Sequence, residues 1–171
     1  MAARATKLML LALGAMSVQQ TFATIGRGLP PIIAPAIVAD LAIDPALLGV
    51  YVAIAAAASL AFQLGCGSFI LRFGALRVSQ AALLFVAVGL AVSAVGPLAF
   101  WALAAVVGAG GSAMSTPASS HLLARYTEPR RMPLVFAIKQ TAVPAALLIA
   151  GLMGPFLTVL WGWRGALLVS A

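Results

Sequence analysis

The feature that most constrains this chain is a series of long apolar runs, separated by short turns that hold most of the charged residues. Hydrophobic residues make up 64% of its 171 residues and charged residues only 8%. A soluble domain carries about 25% charged residues, so this chain has too few charges to cover a surface that faces water. An apolar run of about 20 residues can cross a bilayer as a helix. The sequence therefore predicts an all-α membrane protein, a bundle of transmembrane helices in contact with the lipid bilayer.

Five complete spans and the beginning of a sixth can be placed along the chain. Their predicted bounds are residues 7–38, 46–71, 78–95, 100–124 and 133–160, with the sixth starting at 163–171. The first span exceeds the roughly 20 residues that a bilayer requires, and three prolines interrupt its outer part. These are Pro30, Pro31 and Pro35. Residues 1–23 are similar to a secretory signal, but apolar character resumes after Leu29, so we favour an uncleaved first span over a cleaved signal peptide.

Turn residues predict where several spans begin and end. Asp44 can accept hydrogen bonds from the free amide groups of the second helix, and Pro45 suits the first helical position. Gly96 and Pro97 are expected to end the third span at its outer side. Trp161, Trp163 and Arg164 are expected at the outer interface, where amphipathic rings prefer to lie.

The cations lie in alternate turns, which predicts the orientation of the chain. Those assigned to the inner side are Arg4, Lys7, Arg72, Arg77, Arg125, Arg130 and Arg131. Arg164 is the cation assigned to an outer turn, and the acids Asp40 and Asp44 also lie on that side. Because Lys and Arg are retained on the cytoplasmic side, we expect a cytoplasmic N-terminus in a plasma membrane, such as the bacterial inner membrane. Orientation also explains the net charge of +7, so we expect no nucleic-acid partner.

The turn between the second and third spans carries a recognisable pattern. Residues Gly65–Arg77 read Gly-Cys-Gly-Ser-Phe-Ile-Leu-Arg-Phe-Gly-Ala-Leu-Arg. This turn resembles the loop between the second and third helices of major facilitator superfamily transporters, Gly-x-x-x-Asp-Arg-x-Gly-x-Arg-Arg. The matching positions are Gly67, Arg72, Gly74 and Arg77. Leu71 stands where the family has Asp, and Leu76 stands where it usually has the first of two closing basic residues.

The order of elements along the whole chain is also similar to the first half of such a carrier. The resemblance implies one of two six-helix halves that rock around a central cavity and expose it alternately to each side. Residues 1–171 would then be the N-terminal half with an incomplete sixth helix, a fragment of a longer chain whose C-terminal half is its partner. In the family the Asp of the loop helps to close the inner gate. Leu71 therefore implies a weaker inner lock, or another acceptor in the C-terminal half.

Arg27 is the first candidate for substrate binding. It lies about two-thirds of the way along the first span, and Gly26 and Gly28 on either side leave room for a ligand. A cation inside a bilayer costs about 2.5–3.5 kcal/mol on insertion scales and usually faces a cavity or a partner. Arg27 would bind an anionic group such as a carboxylate by paired hydrogen bonds. The alternative, which the sequence leaves open, is that its side chain extends to the outer headgroups.

Other polar residues within the spans are further candidates. Gln20 and Thr24 in the first span and Gln140 in the fifth either hold helices together or line the substrate cavity. Lys139 either extends to the cytoplasmic headgroups or acts as a cation of the cavity or gate. In the fourth span, glycines and serines spaced four residues apart favour a close helix–helix contact over a substrate-lining role.

The sequence contains no pairing of nucleophile and base, no cluster of metal ligands and no phosphate-binding glycine loop after a strand. We therefore expect no enzyme activity, no metal and no cofactor. The leading hypothesis is a secondary active transporter of a small organic solute, with anions as the candidate class. The alternative is a truncated or non-transporting helical membrane protein that acts as a scaffold or assembly partner.

Overall fold

The computed structural model describes residues 2–95, 97 and 99–171. Within these residues the chain forms α-helices and one short 3-10 helix, with no strand, which confirms the all-α class. The helices are α1 Ala2–Ile32, α2 Ala34–Leu41, α3 Ala46–Phe73, α4 Ala75–Val95, α5 Phe100–Tyr126, α6 Met132–Gln140 and α7 Ala142–Ser170, and the 3-10 helix is Pro129–Arg131. Gly96, expected to help end the third span, lies outside the described residues, as does the side chain of Arg4.

Prolines and one glycine account for the places where long helices break or bend. α1 gives way to α2 at Ile33, two residues before Pro35. α6 ends at Gln140, whose carbonyl would need the amide hydrogen that Pro144 lacks. α7 bends sharply at Gly162, where φ is 69° and ψ is 169°. Because essentially only glycine adopts this conformation, Gly162 separates the last eight helical residues from the rest of α7.

Four helical stretches of the described chain are long and apolar enough to cross a membrane. They are Thr6–Ile32, Ala46–Phe73, Ala75–Val95 and Pro129–Ser170. α5 has 27 residues, which is also sufficient length, but glycine, serine and threonine lower its hydropathy. It packs against α1, α3 and α4, so Ser112, Ser115 and Ser119 are buried against protein. The points at which each helix enters and leaves the lipid stay a prediction.

Glycines bring the backbones of α4 and α5 into direct contact. A Cβ built on Gly89 would lie 2.6 Å from the Cα of Gly108 and 2.8 Å from its nitrogen. One turn away, a Cβ on Gly111 would lie 2.7 Å from the carbonyl oxygen of Ala82. Such small residues allow the close approach on which helix association in lipid depends. The glycines of the fourth predicted span therefore make the helix–helix contact that their spacing favours.

Aromatic side chains and one ion pair close the end of the bundle that carries Asp40. The indole nitrogen of Trp163 donates a hydrogen bond to Asp40 at 2.8 Å, and Arg164 pairs with the same carboxylate at 3.5 Å. Trp163 is buried and packs edge-to-face against Trp101, with 5.9 Å between ring centroids. Trp163 therefore packs against protein and anchors the end of α7 to α2, whereas Trp161 is 56% exposed. The position of both rings relative to the lipid interface stays a prediction.

Candidate functional site

Arg27 lies in a cleft of about 320 Å³ lined by residues from α1, α3, α4, α5 and α7. Its side chain is exposed, and the walls around it consist mainly of small and apolar residues. The other polar side chains of the lining are Tyr51 and Ser59. Among the described residues, the ion pairs join Arg131 to Glu128 and Arg164 to Asp40, so no carboxylate there neutralises Arg27. The cleft thus presents one uncompensated positive charge in apolar surroundings.

The position of Arg27 along its helix sets its depth. At 1.5 Å per residue, Arg27 lies about 30 Å from Lys7 and about 20 Å from Asp40. Lys7 and Asp40 are exposed and belong to opposite ends of the bundle. Because headgroups add only about 5–7 Å to each side of the hydrocarbon core, Arg27 lies well below the end that carries Asp40.

Two prolines add hydrogen-bond acceptors next to this cation. Pro30 and Pro31 lie inside α1 and carry no amide hydrogen. The carbonyl groups of Gly26 and Arg27 therefore lack the helical donor four residues further on. Gly26, Arg27 and Pro31 all line the cleft. This wall of the cleft can offer donors from the guanidinium and acceptors from the backbone to the same ligand.

Gln20, Thr24 and Lys139 belong to a separate polar cluster between α1, α5 and α6. Gln20 donates to the Thr24 hydroxyl at 3.4 Å and accepts from the Thr116 hydroxyl at 3.3 Å. The Lys139 ammonium donates to the Thr116 carbonyl oxygen and to the Ser120 hydroxyl, both at 3.4 Å. Gln20, Thr24 and Lys139 are all buried. The structure thus joins three predicted residues and separates them from Arg27.

Lys139 is the least accessible cation of the described chain, with 1% of its surface exposed. Its ammonium faces α5 rather than the headgroups, and neutral oxygens are its only hydrogen-bond partners within the described residues. One residue before Gln20 on α1, Gln19 donates to the Ser115 hydroxyl at 2.8 Å, while the carbonyl oxygen of its amide is buried without a partner among the described residues. A buried charge without an opposite charge is costly, so this cluster is a second candidate site.

The turn that resembles the family loop is built around Gly74. α3 ends at Phe73 and α4 begins at Ala75, so Gly74 alone connects them, with φ 84° and ψ 148°. Its amide hydrogen bonds to the carbonyl oxygen of Ile70 at 2.9 Å and closes the end of α3. Essentially only glycine adopts this backbone conformation. Gly74 is therefore required by the geometry of the turn itself.

The other residues of the family pattern are exposed. Arg72 lies over the ring of Phe73, with 5.3 Å between its guanidinium carbon and the ring centroid, and Arg77 is exposed on α4. Leu71, where the pattern has Asp, is 82% exposed. A Cβ added to Gly67 would meet no atom of another side chain within 4 Å. Nothing in the described part of the chain explains a glycine at position 67.

The family model of the Major Facilitator Superfamily matches residues 16–171. The chain belongs to the major facilitator superfamily. Searches of curated proteins and of solved structures gave no match. Membership makes this chain part of a major facilitator transporter, and its long apolar helices make it a multi-pass membrane protein in contact with the bilayer.

One predicted site residue of this major facilitator chain stands apart from both sites. Gln140 is exposed at the end of α6 and lies neither in the Arg27 cleft nor in the polar cluster. Successive helical residues point about 100° apart, so with Lys139 directed at α5, Gln140 is directed away from it. Sequence reasoning also missed the partners Thr116 and Ser120. Their spacing of four residues, which places two hydroxyls on one face of α5, is the signal that could have identified them.

Proposed function

We propose that this chain is the N-terminal half of a secondary active carrier that moves a small organic anion by alternating access. Family membership supports transport. The anionic class is supported by one observation, the exposed guanidinium of Arg27, which has no carboxylate partner among the described residues and lies in an apolar cleft. In apolar surroundings a charge-assisted, two-point hydrogen bond to a carboxylate is stronger than in water. The C-terminal half would supply the opposite wall of the cavity.

The substrate that fits this cleft carries a carboxylate and at least one hydrogen-bond donor. Arg27 would hold the carboxylate, and the carbonyl groups released by Pro30 and Pro31 would accept from a neighbouring hydroxyl or amine. The cleft volume of about 320 Å³ lies at the lower end of the range for small-molecule sites. Hydroxy acids and amino acids are the simplest solutes that carry both a carboxylate and such a donor.

We propose that Gln20, Thr24 and Lys139 control the separation of α6 from α5 when the halves rock, and that Arg27 is the residue that first binds the substrate. The contacts of the Lys139 ammonium are long, at 3.4 Å, and go to neutral oxygens. Such hydrogen bonds are weaker than those between ions, so α6 can separate from α5 when the halves rock. The Lys139 ammonium would then be free to attract an anionic group that enters this region. Gln140, exposed at the end of α6, would face the C-terminal half.

The turn with Gly67, Arg72, Gly74 and Arg77 would form the inner gate against the C-terminal half. Gly67 has free space above it, which supports a requirement for close approach by an element outside the described residues. With Leu71 exposed where the family has Asp, the gate lacks one acceptor. It would therefore open more easily towards the cytoplasm.

We further propose that the N-terminus and this turn face the cytoplasm. Lys7 near the start of α1, Arg72 at the end of α3 and Arg125 at the end of α5 lie at one end of the bundle, because successive long helices alternate in direction. Asp40 and Asp44 lie at the opposite end. Retention of cations on the cytoplasmic side supports this orientation in the plasma membrane.

Flux measurements with the carrier expressed from its full reading frame test the proposed function. The protein is reconstituted in proteoliposomes, and counterflow is measured for short hydroxy and amino acids, their neutral amides, and drug-like cations. Arg27→Gln should weaken anion binding about 10- to 100-fold, the value of a charge-assisted hydrogen-bond pair, and Arg27→Lys should be intermediate. Arg125→Gln, which removes an exposed cation outside the cleft, is the matched control.

Two results would contradict the proposal. If Arg27→Gln takes up substrate as wild type does, or if acids and their neutral amides show equal flux, Arg27 does not bind a substrate carboxylate. No flux of any solute would favour the non-transporting scaffold. Lys139→Met separates the gate from the substrate site, because it should lower the maximal rate and leave the half-saturation concentration within about twofold of wild type.

A further inference from the structure

A second, larger depression lies on the outside of the bundle, between α3 and α4. This groove has a volume of about 690 Å³, and its walls are almost entirely apolar. Its principal walls are Phe62, Gly65, Phe69 and Phe73 on α3, Phe85 on α4 and Met114 on α5. The groove shares no lining residue with the Arg27 cleft.

The spacing of residues on α3 explains why the groove exists. Phe69 and Phe73 lie one turn apart on one face and stack, with 6.2 Å between their ring centroids. Gly65, one turn before Phe69, removes a side chain from the same face, and a Cβ there would meet nothing within 4 Å. Phe85 forms the opposite wall and is 39% exposed. The result is a shaped depression in a surface that would otherwise be a uniform row of side chains.

The length of the groove corresponds to one leaflet of a bilayer. It runs along α4 from Arg77 to Phe85, about 12 Å at 1.5 Å per residue. Along α3 it runs from Phe73 to Phe62, about 16 Å. Half of the hydrocarbon core of a bilayer is about 15 Å thick.

One end of the groove is positively charged. Arg77 lines it directly, and Arg72 lies over the ring of Phe73, which also lines it. Both cations are exposed, and neither belongs to an ion pair among the described residues. Leu71 provides no negative charge beside Arg72. The occupant should therefore carry an apolar part about one leaflet long and a negative group at one end.

We propose that the groove binds one acyl chain of an anionic phospholipid, with the phosphate held by Arg77 and Arg72. The chain would lie along Phe69 and Phe85 and end near Gly65 and Phe62. Given the orientation proposed above, the lipid comes from the cytoplasmic leaflet, where anionic headgroups attract such cations. A lipid bound across the α3–α4 turn would join the two helices that carry the proposed inner gate.

Lipid retention tests this proposal independently of transport. The complete carrier in detergent is mixed with equal amounts of phosphatidylglycerol and phosphatidylcholine that carry identical chains, and the bound lipid is counted by native mass spectrometry. Wild type should retain phosphatidylglycerol about fivefold more than phosphatidylcholine. Joint replacement of both cations, Arg72→Gln with Arg77→Gln, should reduce this preference to about onefold, because both cations that would hold the phosphate are lost.

Filling the groove provides the second arm of the test. Gly65→Leu should lower retention of both lipids about tenfold, since the leucine side chain would displace roughly two methylene groups of the acyl chain from the groove. The matched control is Gly14→Leu, at an exposed glycine of α1 where a Cβ also meets nothing within 4 Å. It should retain both lipids as wild type does. Unchanged melting temperatures of both variants would show that they are folded.

Three outcomes would overturn the proposal. One is equal retention of the two lipids by wild type, and another is unchanged retention by Gly65→Leu. The third is absence of retained lipid together with disulfide cross-linking of a Phe69→Cys variant to a cysteine introduced in the C-terminal half, because a helix would then fill the groove. None of these outcomes bears on Arg27, so failure here is distinguishable from failure of the proposed transport function.

Discussion

At the contact between Gly89 and Gly108, the structure predicts that alanine substitution is destabilising at the first glycine and tolerated at the second. A Cβ on Gly89 would lie 2.6 Å from the Cα of Gly108 and 3.1 Å from the carbonyl oxygen of Ala104. Both obstacles are backbone atoms, which cannot rotate away. A Cβ on Gly108 would lie 3.5 Å from the Cα of Gly89, an ordinary van der Waals contact. Gly89→Ala should therefore push α4 and α5 apart, whereas Gly108→Ala should be accommodated.

The size of the effect follows from these distances. To restore ordinary contact at position 89, the helices must separate locally by about 1 Å. Inserting a carbon into a packed interior costs about 1–3 kcal/mol, and an immovable backbone favours the upper half of that range. Alanine returns up to about 1 kcal/mol of helix propensity at either position. We expect Gly89→Ala to lower the free energy of unfolding by about 2 kcal/mol and Gly108→Ala to change it by less than about 1 kcal/mol.

Thermal unfolding in detergent, followed by tryptophan fluorescence, measures this difference. Trp101 and Trp163 are buried near the same end of the bundle and should report loss of packing. For a chain of this size, about 2 kcal/mol corresponds to a fall of roughly 4–8 °C in melting temperature. The α4–α5 contact described above is incorrect if Gly89→Ala has the melting temperature of wild type, or if Gly108→Ala lowers the melting temperature as much as Gly89→Ala does.

Two further predictions concern the α3–α4 turn. Gly74→Ala should destabilise the protein by about 1–3 kcal/mol, because φ 84° with ψ 148° is essentially reserved for glycine. The same melting assay measures this effect, with Gly14→Ala as the control at an exposed helical glycine. A melting temperature of Gly74→Ala equal to that of wild type would refute the argument. The thiol of an Arg72→Cys variant should react with an impermeant maleimide only from the cytoplasmic side, while the buried Cys66 stays unlabelled. Labelling from outside intact cells would reverse the proposed orientation.

Much of the fold could be predicted from the sequence because hydropathy and helix punctuation are local properties. The low charge content sets the class, and Asp44 with Pro45 predicts the start of α3, where the Asp44 carboxylate accepts from the Ala46 amide at 2.8 Å. The break after Gln140 was not predicted, although Pro144 is its cause. Proline in a membrane helix permits either a kink or an interruption, and the neighbouring helices decide between them.

The candidate site could be predicted only in part. Gln20, Thr24 and Arg27 share one face of α1 by their spacing, yet the first two are buried against α5 and the third opens into a cleft. The spacing of residues along α1 cannot predict which of them are buried, because their burial depends on which part of α1 is covered by α5. Lys139 shows the same limit, since its burial depends on Thr116 at a distance of 23 residues along the chain.

By itself, the sequence determined that this chain is helical, belongs in a membrane, and carries the turn pattern of its family. Each of these properties is the sum of residue-by-residue preferences for lipid, water or a backbone conformation. Tertiary structure alone decided that Lys139 faces neutral oxygens, that Trp163 is buried, and that α3 and α4 enclose an apolar groove. In lipid, neighbouring helices are selected by steric fit between small and large side chains, and that fit exists only once the helices are side by side.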